Sequence, residues 1–341
     1  MPSTKRRPLR RAPVAFTLIE MLVALAVLML MGVLILSVIN NTSSVAAQAA
    51  SRLDANRVAR ECLDLIGRDL AGLRIPYANS SLNSGIPTGG TNGLQMAVNP
   101  TSVDAKFQNP HSMFWQSAVS RNRKYGNLAV IGYFVLKDLA ADPKDNRLQL
   151  RRVSVEPENP NPPPASPDYL IYNDPTNWHP NALLEKFAPD DATDDNAAGQ
   201  RGWVADGVVA LWVRTLDPLG NPITTDATGA ALNGTFDSRK GYSYVSDGAT
   251  VYPGGRQLAA SANNPRGYDP VPMAPAFLEV GLVCVAPRDA QRITMLPPAT
   301  ATAPANFHAD MKAFTDAVRA GNPQAKSVES FSRIYRLYPR P

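Results

Sequence analysis

Between Met21 and Ile39 every position is apolar except Gly32 and Ser37. This run of 19 residues is close to the ~20 that a helix needs to cross the hydrocarbon layer of a membrane. A polar stretch follows at 40–44 (Asn-Asn-Thr-Ser-Ser), whose side chains compete for backbone hydrogen bonds and can bend or loosen a helix. Helical periodicity then resumes. Ala59, Cys62, Leu63, Ile66, Leu70 and Leu73 form an apolar stripe suited to packing on a sheet, and Asp64 with Arg68 is spaced for an i,i+4 ion pair. Pro76 stops the pattern. Residues 16–74 therefore predict one long helix, open to a break near 40–44, of roughly 85–90 Å at 1.5 Å per residue.

Beyond it the pattern changes to strands and turns. Residues 77–110 are rich in Asn, Ser, Gly and Pro and predict a long loop with one short strand near 94–98. Strands are predicted at 111–118, at 128–137, which is apolar enough to lie centrally, and at 147–155. Residues 157–167 (PENPNPPPASP) read as a stiff surface loop and 182–187 as a short helix. Residues 203–216 form the clearest strand pattern, with Val209, Leu211 and Val213 alternating against Ala210, Trp212 and Arg214. After the Asp217-Pro218-Leu219-Gly220-Asn221 turn, residues 221–270 are turn-rich and carry Tyr242, Tyr244, Tyr252 and Tyr268 as loop anchors. A strand at 275–286, a helix at 305–320 with Phe307, Met311, Phe314 and Val318 on one face, and a closing strand at 330–337 complete the chain. The fold class is α+β, a long N-terminal helix packed on an antiparallel sheet with long loops.

Charge sharpens this picture. The formal net charge is +5, but Lys5, Arg6, Arg7, Arg10 and Arg11 all lie in residues 1–15, and the remaining 29 basic residues balance the 29 acidic ones. The folded part therefore carries no basic footprint for nucleic acid. By the positive-inside rule the proline-interrupted tail stays cytoplasmic and the rest lies beyond the membrane. The two cysteines, Cys62 and Cys284, exclude a disulfide scaffold and a CxxC site, leaving open two buried thiols or one long-range disulfide. Asp190, Asp191, Asp194 and Asp195 crowd one loop. That makes it a weak calcium candidate, since it lacks the glycine and terminal glutamate of an EF-hand, and a solvated acidic loop is the plainer reading.

One residue is out of place. Glu20 stands at the entrance of the apolar run, where a carboxylate costs on the order of 2–3 kcal/mol at depth and calls for a partner. A secretory signal cleaved after Ala47-Gln48-Ala49, a plain signal anchor and a twin-arginine signal at Arg6-Arg7 all leave Glu20 unexplained. A cut between Ala15 and Phe16 instead makes Glu20 the fifth residue, one helical turn from a new α-amino group. An amine is its natural partner.

The segment Phe16-Thr17-Leu18-Ile19-Glu20, behind a basic leader and ahead of an apolar helix, resembles the N-terminus of type IV prepilins and type II secretion pseudopilins. The departure is Ala15 where that family usually has glycine. The resemblance implies cleavage at Ala15-Phe16 by a membrane prepilin peptidase, N-methylation of Phe16, and packing of the apolar helices with other pilin or pseudopilin subunits. Glu20 would pair there with a neighbour's terminal amine. On this basis residues 1–15 are a leader, 16–40 a transmembrane and filament-core helix, 41–76 the amphipathic half of the stalk, and 77–341 a periplasmic head. Arg57, Leu63, Ile66, Asp69 and Leu70, with the V-x-x-L-W-V run at 208–213 and P-x-F-L-E-V-x-L at 275–282, resemble J-type minor pseudopilins. Glu20 argues against the tip subunit of such systems, which lacks that residue, without fixing the chain's position in a filament. More weakly, the Pro- and Asn-rich head resembles the pilin-like Verru_Chthon cassette protein C group.

Catalytic signatures are missing from the sequence: His111, His179 and His308 lie far apart, and there is no HExxH, GxSxG or P-loop. No cofactor is expected, and the reading is a filament subunit rather than an enzyme. The rival classes are a membrane-anchored extracytoplasmic binding module, for instance for carbohydrate, and an exported enzyme.

Overall fold

The computed structural model describes residues 17–73, 96–100, 103, 107–117, 129–138, 147–155, 202–226, 229–238, 241–246, 248–251, 256–257, 268–269 and 274–337. The expected loop at 157–167, the short helix at 182–187, the acidic loop and the Ala15-Phe16 junction lie outside these residues. The chain divides into two compact units, Met1–Ala50 and Ser51–Pro341.

Helix α1, Leu18–Ala71, contributes to both units. No proline interrupts it, and its Leu, Ala, Met and Arg residues are good helix formers. The polar stretch does not break it. Thr42 Oγ1 donates to the Val38 carbonyl at 2.8 Å and Ser44 Oγ to the Asn41 carbonyl at 2.8 Å, so these hydroxyls bond back onto the preceding turn. At the far end Gly72 N donates to Asp69 O and Leu73 N to Leu70 O, a tightened last turn that satisfies two orphan carbonyls.

The head, from Ser51 onward, is α+β with antiparallel sheets. Where the sequence predicted one sheet there are two principal ones, with two small hairpins beside them. The larger contains β1 (Met96–Val98), β2 (Met113–Ser117), β3 (Ala129–Asp138), β4 (Arg147–Val155), β5 (Trp203–Asp206) and β7 (Phe236–Asp237), in the order β5-β4-β3-β2-β1-β7. The smaller contains β6 (Val208–Leu216), β12 (Phe277–Cys284) and β13 (Glu329–Arg336), in the order β13-β12-β6. The hairpins pair β8 (Tyr244–Ser246) with β9 (Ala249–Val251) and β10 (Arg256–Gln257) with β11 (Tyr268–Asp269).

The single strand expected at 203–216 is thus two strands belonging to different sheets. Gly207 separates them at φ +78°, a left-handed conformation in which a side chain is strained. There its N–H donates to Leu148 O and its carbonyl accepts from Val285 N, each at 2.7 Å. The break falls at Asp206-Gly207, a turn-type dipeptide inside an otherwise apolar run that the sequence pattern carries through as one strand.

The main core lies where Ala55, Ala59, Cys62, Leu63, Ile66 and Leu70 of α1 meet one face of both sheets, through Trp115, Ile131 and Tyr133 on one and Leu211, Val280 and Leu282 on the other. Burying Leu63, Ile66 and Leu70 contributes about 1.5–3 kcal/mol each. The opposite face of the large sheet is closed by Val103 and Phe107, the latter edge-on to Phe134 at 5.2 Å. That of the small sheet is closed by α2 (Phe307–Gly321), where Phe307, Met311, Phe314 and Val318 pack on Ala210, Trp212 and Val283. Both faces of β3 and β6 are therefore covered, which explains why these strands are apolar almost throughout.

The expected Asp64–Arg68 pair is replaced. The Asp64 carboxylate meets Arg333 of β13, and Arg68 Nε reaches the Asp64 backbone carbonyl at 3.4 Å. Of the four tyrosines expected as anchors, Tyr242 is buried in the main core and Tyr244 packs against it, while the side chains of Tyr252 and Tyr268 lie outside the described set.

Candidate functional site

The N-terminal site begins with Thr17, which precedes the first helical residue. Thr17 Oγ1 accepts from Glu20 N at 3.3 Å, and the Glu20 carboxylate accepts from Thr17 N at 2.9 Å and from Thr17 Oγ1 at 3.0 Å. This is a reciprocal capping box, satisfying donors that a helix start leaves free. The Glu20 carboxylate is thereby held back over the first turn of the helix. Behind it the large apolar residues from Leu18 to Ile39 are 50–81 % exposed. Leu18–Ala71 is a helix long and apolar enough to span a membrane, consistent with a single-pass anchor.

In the head, Asp69 of α1 is buried and meets the large sheet through charge. It accepts from Tyr133 Oη on β3 at 2.6 Å and from Arg152 on β4, Nε at 2.6 Å and Nη2 at 3.3 Å. Burial, then the Asp69 carboxylate beside it, push the Tyr133 hydroxyl well above the usual phenol range, so it remains a donor. On the small sheet Arg214 of β6 stands directly opposite Glu279 of β12 and is hydrogen-bonded to its buried carboxylate. The other Glu279 oxygen lies 3.1 Å from His308 Nε2, and the guanidinium sits 4.9 Å from the Phe307 ring centroid.

Cys62 and Cys284 are free thiols buried in the main core. Burial, with the nearby Glu61 carboxylate, pushes Cys62 up to about 12, and burial likewise raises Cys284. Neither is an activated nucleophile. Among the described residues no cluster of His, Cys, Asp and Glu is arranged to hold a metal ion.

A second site escaped the sequence reading. His111 precedes β2 and is 4 % exposed. Its N–H donates to Leu211 O at 3.2 Å, and its Nδ1 accepts from Val213 N at 2.9 Å, continuing the pairing along the edge of β6 with an imidazole. Burial lowers its pKa to about 4, against a smaller opposing effect from Asp310, so the ring is neutral at neutral pH. With Nδ1 accepting, the ring proton is on Nε2, which has no hydrogen-bond partner among the described residues. The ring lines a small cleft between the edge of β6, the turn before β7 and the start of α2. No local motif marks His111, because its partner Val213 is 102 residues away.

No family model, curated protein or solved structure matches this chain.

Proposed function

We propose that this chain is a pilin-like subunit of the minor-pseudopilin kind, cut between Ala15 and Phe16 by a prepilin peptidase and assembled through its apolar helix into a type IV pilus or type II secretion-like filament. The observation that carries this reading is Glu20. It is an acidic residue at the mouth of an uncovered apolar helix, five residues past a small-residue junction and joined to Thr17 in a capping box. A capping box serves any helix start, so what favours the filament reading over a plain anchor is the place of Glu20, fifth after the Ala15-Phe16 junction in Phe16-Thr17-Leu18-Ile19-Glu20. In the filament Glu20 meets the Phe16 amine of a neighbour, and the apolar residues to Ile39 are covered by other subunits' helices. Before assembly the basic leader is cytoplasmic, the helix crosses the inner membrane and the head is periplasmic. The role is structural, not enzymatic.

The test is the N-terminus of the mature protein, read by sequencing and mass spectrometry after co-expression with a prepilin peptidase. N-methylated Phe16 is the expected result. An intact Met1 means a signal anchor carrying a binding module, and a start at Ala50 means a secreted product. Glu20→Ala should be processed but fail to enter filaments; normal incorporation rules out the pairing role.

A further inference from the structure

The cleft at His111 has the makings of a ligand site in the head. Its floor contains a buried N–H donor with no acceptor among the described residues, a state that favours the arrival of one. Trp212, fully buried, lines the same cleft, and its Nε1–H is also without a partner among the described residues. Gly234 keeps the space before the imidazole open. A Cβ built on it would stand 3.5 Å from His111 Nε2, its one contact within 4 Å beyond the adjoining residues.

The surrounding charges select the ligand. Arg214 is already matched by Glu279, so an anion entering the cleft meets no free cation there, and it also faces Asp310. Asp310 in turn is engaged by Thr302, whose N and Oγ1 donate to it at 2.8 and 3.1 Å and hold that wall in place. A cation would set its charge against the N–H donors of the floor, while the Asp310 carboxylate is already engaged by Thr302. The remaining class is a neutral acceptor with an apolar flank, set against Val213, Ile223, Phe236 and Phe307. Thr235, whose hydroxyl donates to Leu232 O at 2.6 Å, keeps lone pairs for an N–H beside that acceptor.

We propose that this cleft binds an uncharged amide group, its carbonyl oxygen accepting from His111 Nε2–H and its apolar flank resting on the Phe236 and Phe307 walls. The site belongs to the head alone and does not depend on how the N-terminus is processed.

The experiment uses the full chain in detergent micelles with ¹⁵N-labelled histidine, observed by long-range ¹H–¹⁵N NMR, with His111 assigned by its loss in His111→Gln. N-methylacetamide is the probe and acetate the control. The expected result is a neutral His111 with its proton on Nε2, whose Nε2 shift moves saturably with N-methylacetamide and not with acetate. Probe binding, read by saturation transfer, should weaken at least ~10-fold in His111→Phe, which keeps a flat ring but carries no N–H donor. The wild-type titration stands by itself if that variant does not fold. A proton on Nδ1, an equal response to acetate, or no response to the amide, meaning a site for water only, overturns the proposal.

Discussion

The Asp69 carboxylate on α1 lies 2.6 Å from the Tyr133 hydroxyl on β3, and the same oxygen is 2.6 Å from Arg152 Nε on β4. One acid from the helix is thus shared by two neighbouring strands, which fixes the rotation of the helix over the sheet. Removing it leaves a guanidinium and a phenol without their acceptor in a mostly buried setting. Asp69→Ala should lower head stability by about 2–4 kcal/mol, somewhat below the range for a fully buried pair because Arg152 retains some exposure. Tyr133→Phe should lose about 1 kcal/mol. Urea unfolding followed by tryptophan fluorescence measures both, and near-neutral values for Asp69→Ala would show that the helix is held by apolar packing alone.

Gly207 is the point where the chain leaves one sheet for the other. An added Cβ would come within 2.2 Å of the Val285 backbone carbonyl, at a φ of +78° that side chains rarely adopt. Gly207→Ala should therefore destabilise the head by more than about 2 kcal/mol, because neither the strain nor a backbone clash can be relieved by a rotamer change. The same measurement decides it; a loss under about 0.5 kcal/mol is incompatible with this bend.

His111 has a folded pKa of about 4 against an ordinary 6.5. Since the unfolded chain binds the extra proton first, its contribution to stability is complete above pH 6.5, falls as pH drops through the interval, and is exhausted near pH 4. The loss over that window is on the order of 3 kcal/mol. Wild type and His111→Gln should converge in stability as the pH is lowered from 7 toward 4, with Asp310 and Arg214 common to both. Parallel pH profiles would show that the imidazole titrates freely.

Cys62 and Cys284 should resist alkylation in the folded chain at pH 8 and react with two equivalents in denaturant without prior reductant, because burial keeps both protonated and shielded. Mass spectrometry after labelling reads this directly. Labelling only after reduction would mean that the two had joined.

Periodicity alone was enough to read α1, the apolar stripe on its second half, the helix at Phe307–Gly321 and the strands at 129–138, 147–155 and 277–284. These elements are long, and each repeats its buried positions at its own period. The Phe16–Glu20 segment was legible for another reason: its chemistry is local, a carboxylate beside an apolar run.

What the sequence by itself determined, then, is the set of long elements, the uncovered apolar helix and the anomaly of Glu20. Only tertiary structure decided that residues 203–216 serve two sheets, that Asp64 faces Arg333 instead of Arg68, that Asp69 anchors the helix, and that His111 presents a buried N–H to a cleft. Each depends on groups far apart in the chain, such as Val213 and His111 or Val285 and Gly207. Local pattern carries no record of such meetings, since a buried strand position reads the same whichever sheet it joins and a polar residue reads the same until its partner is placed.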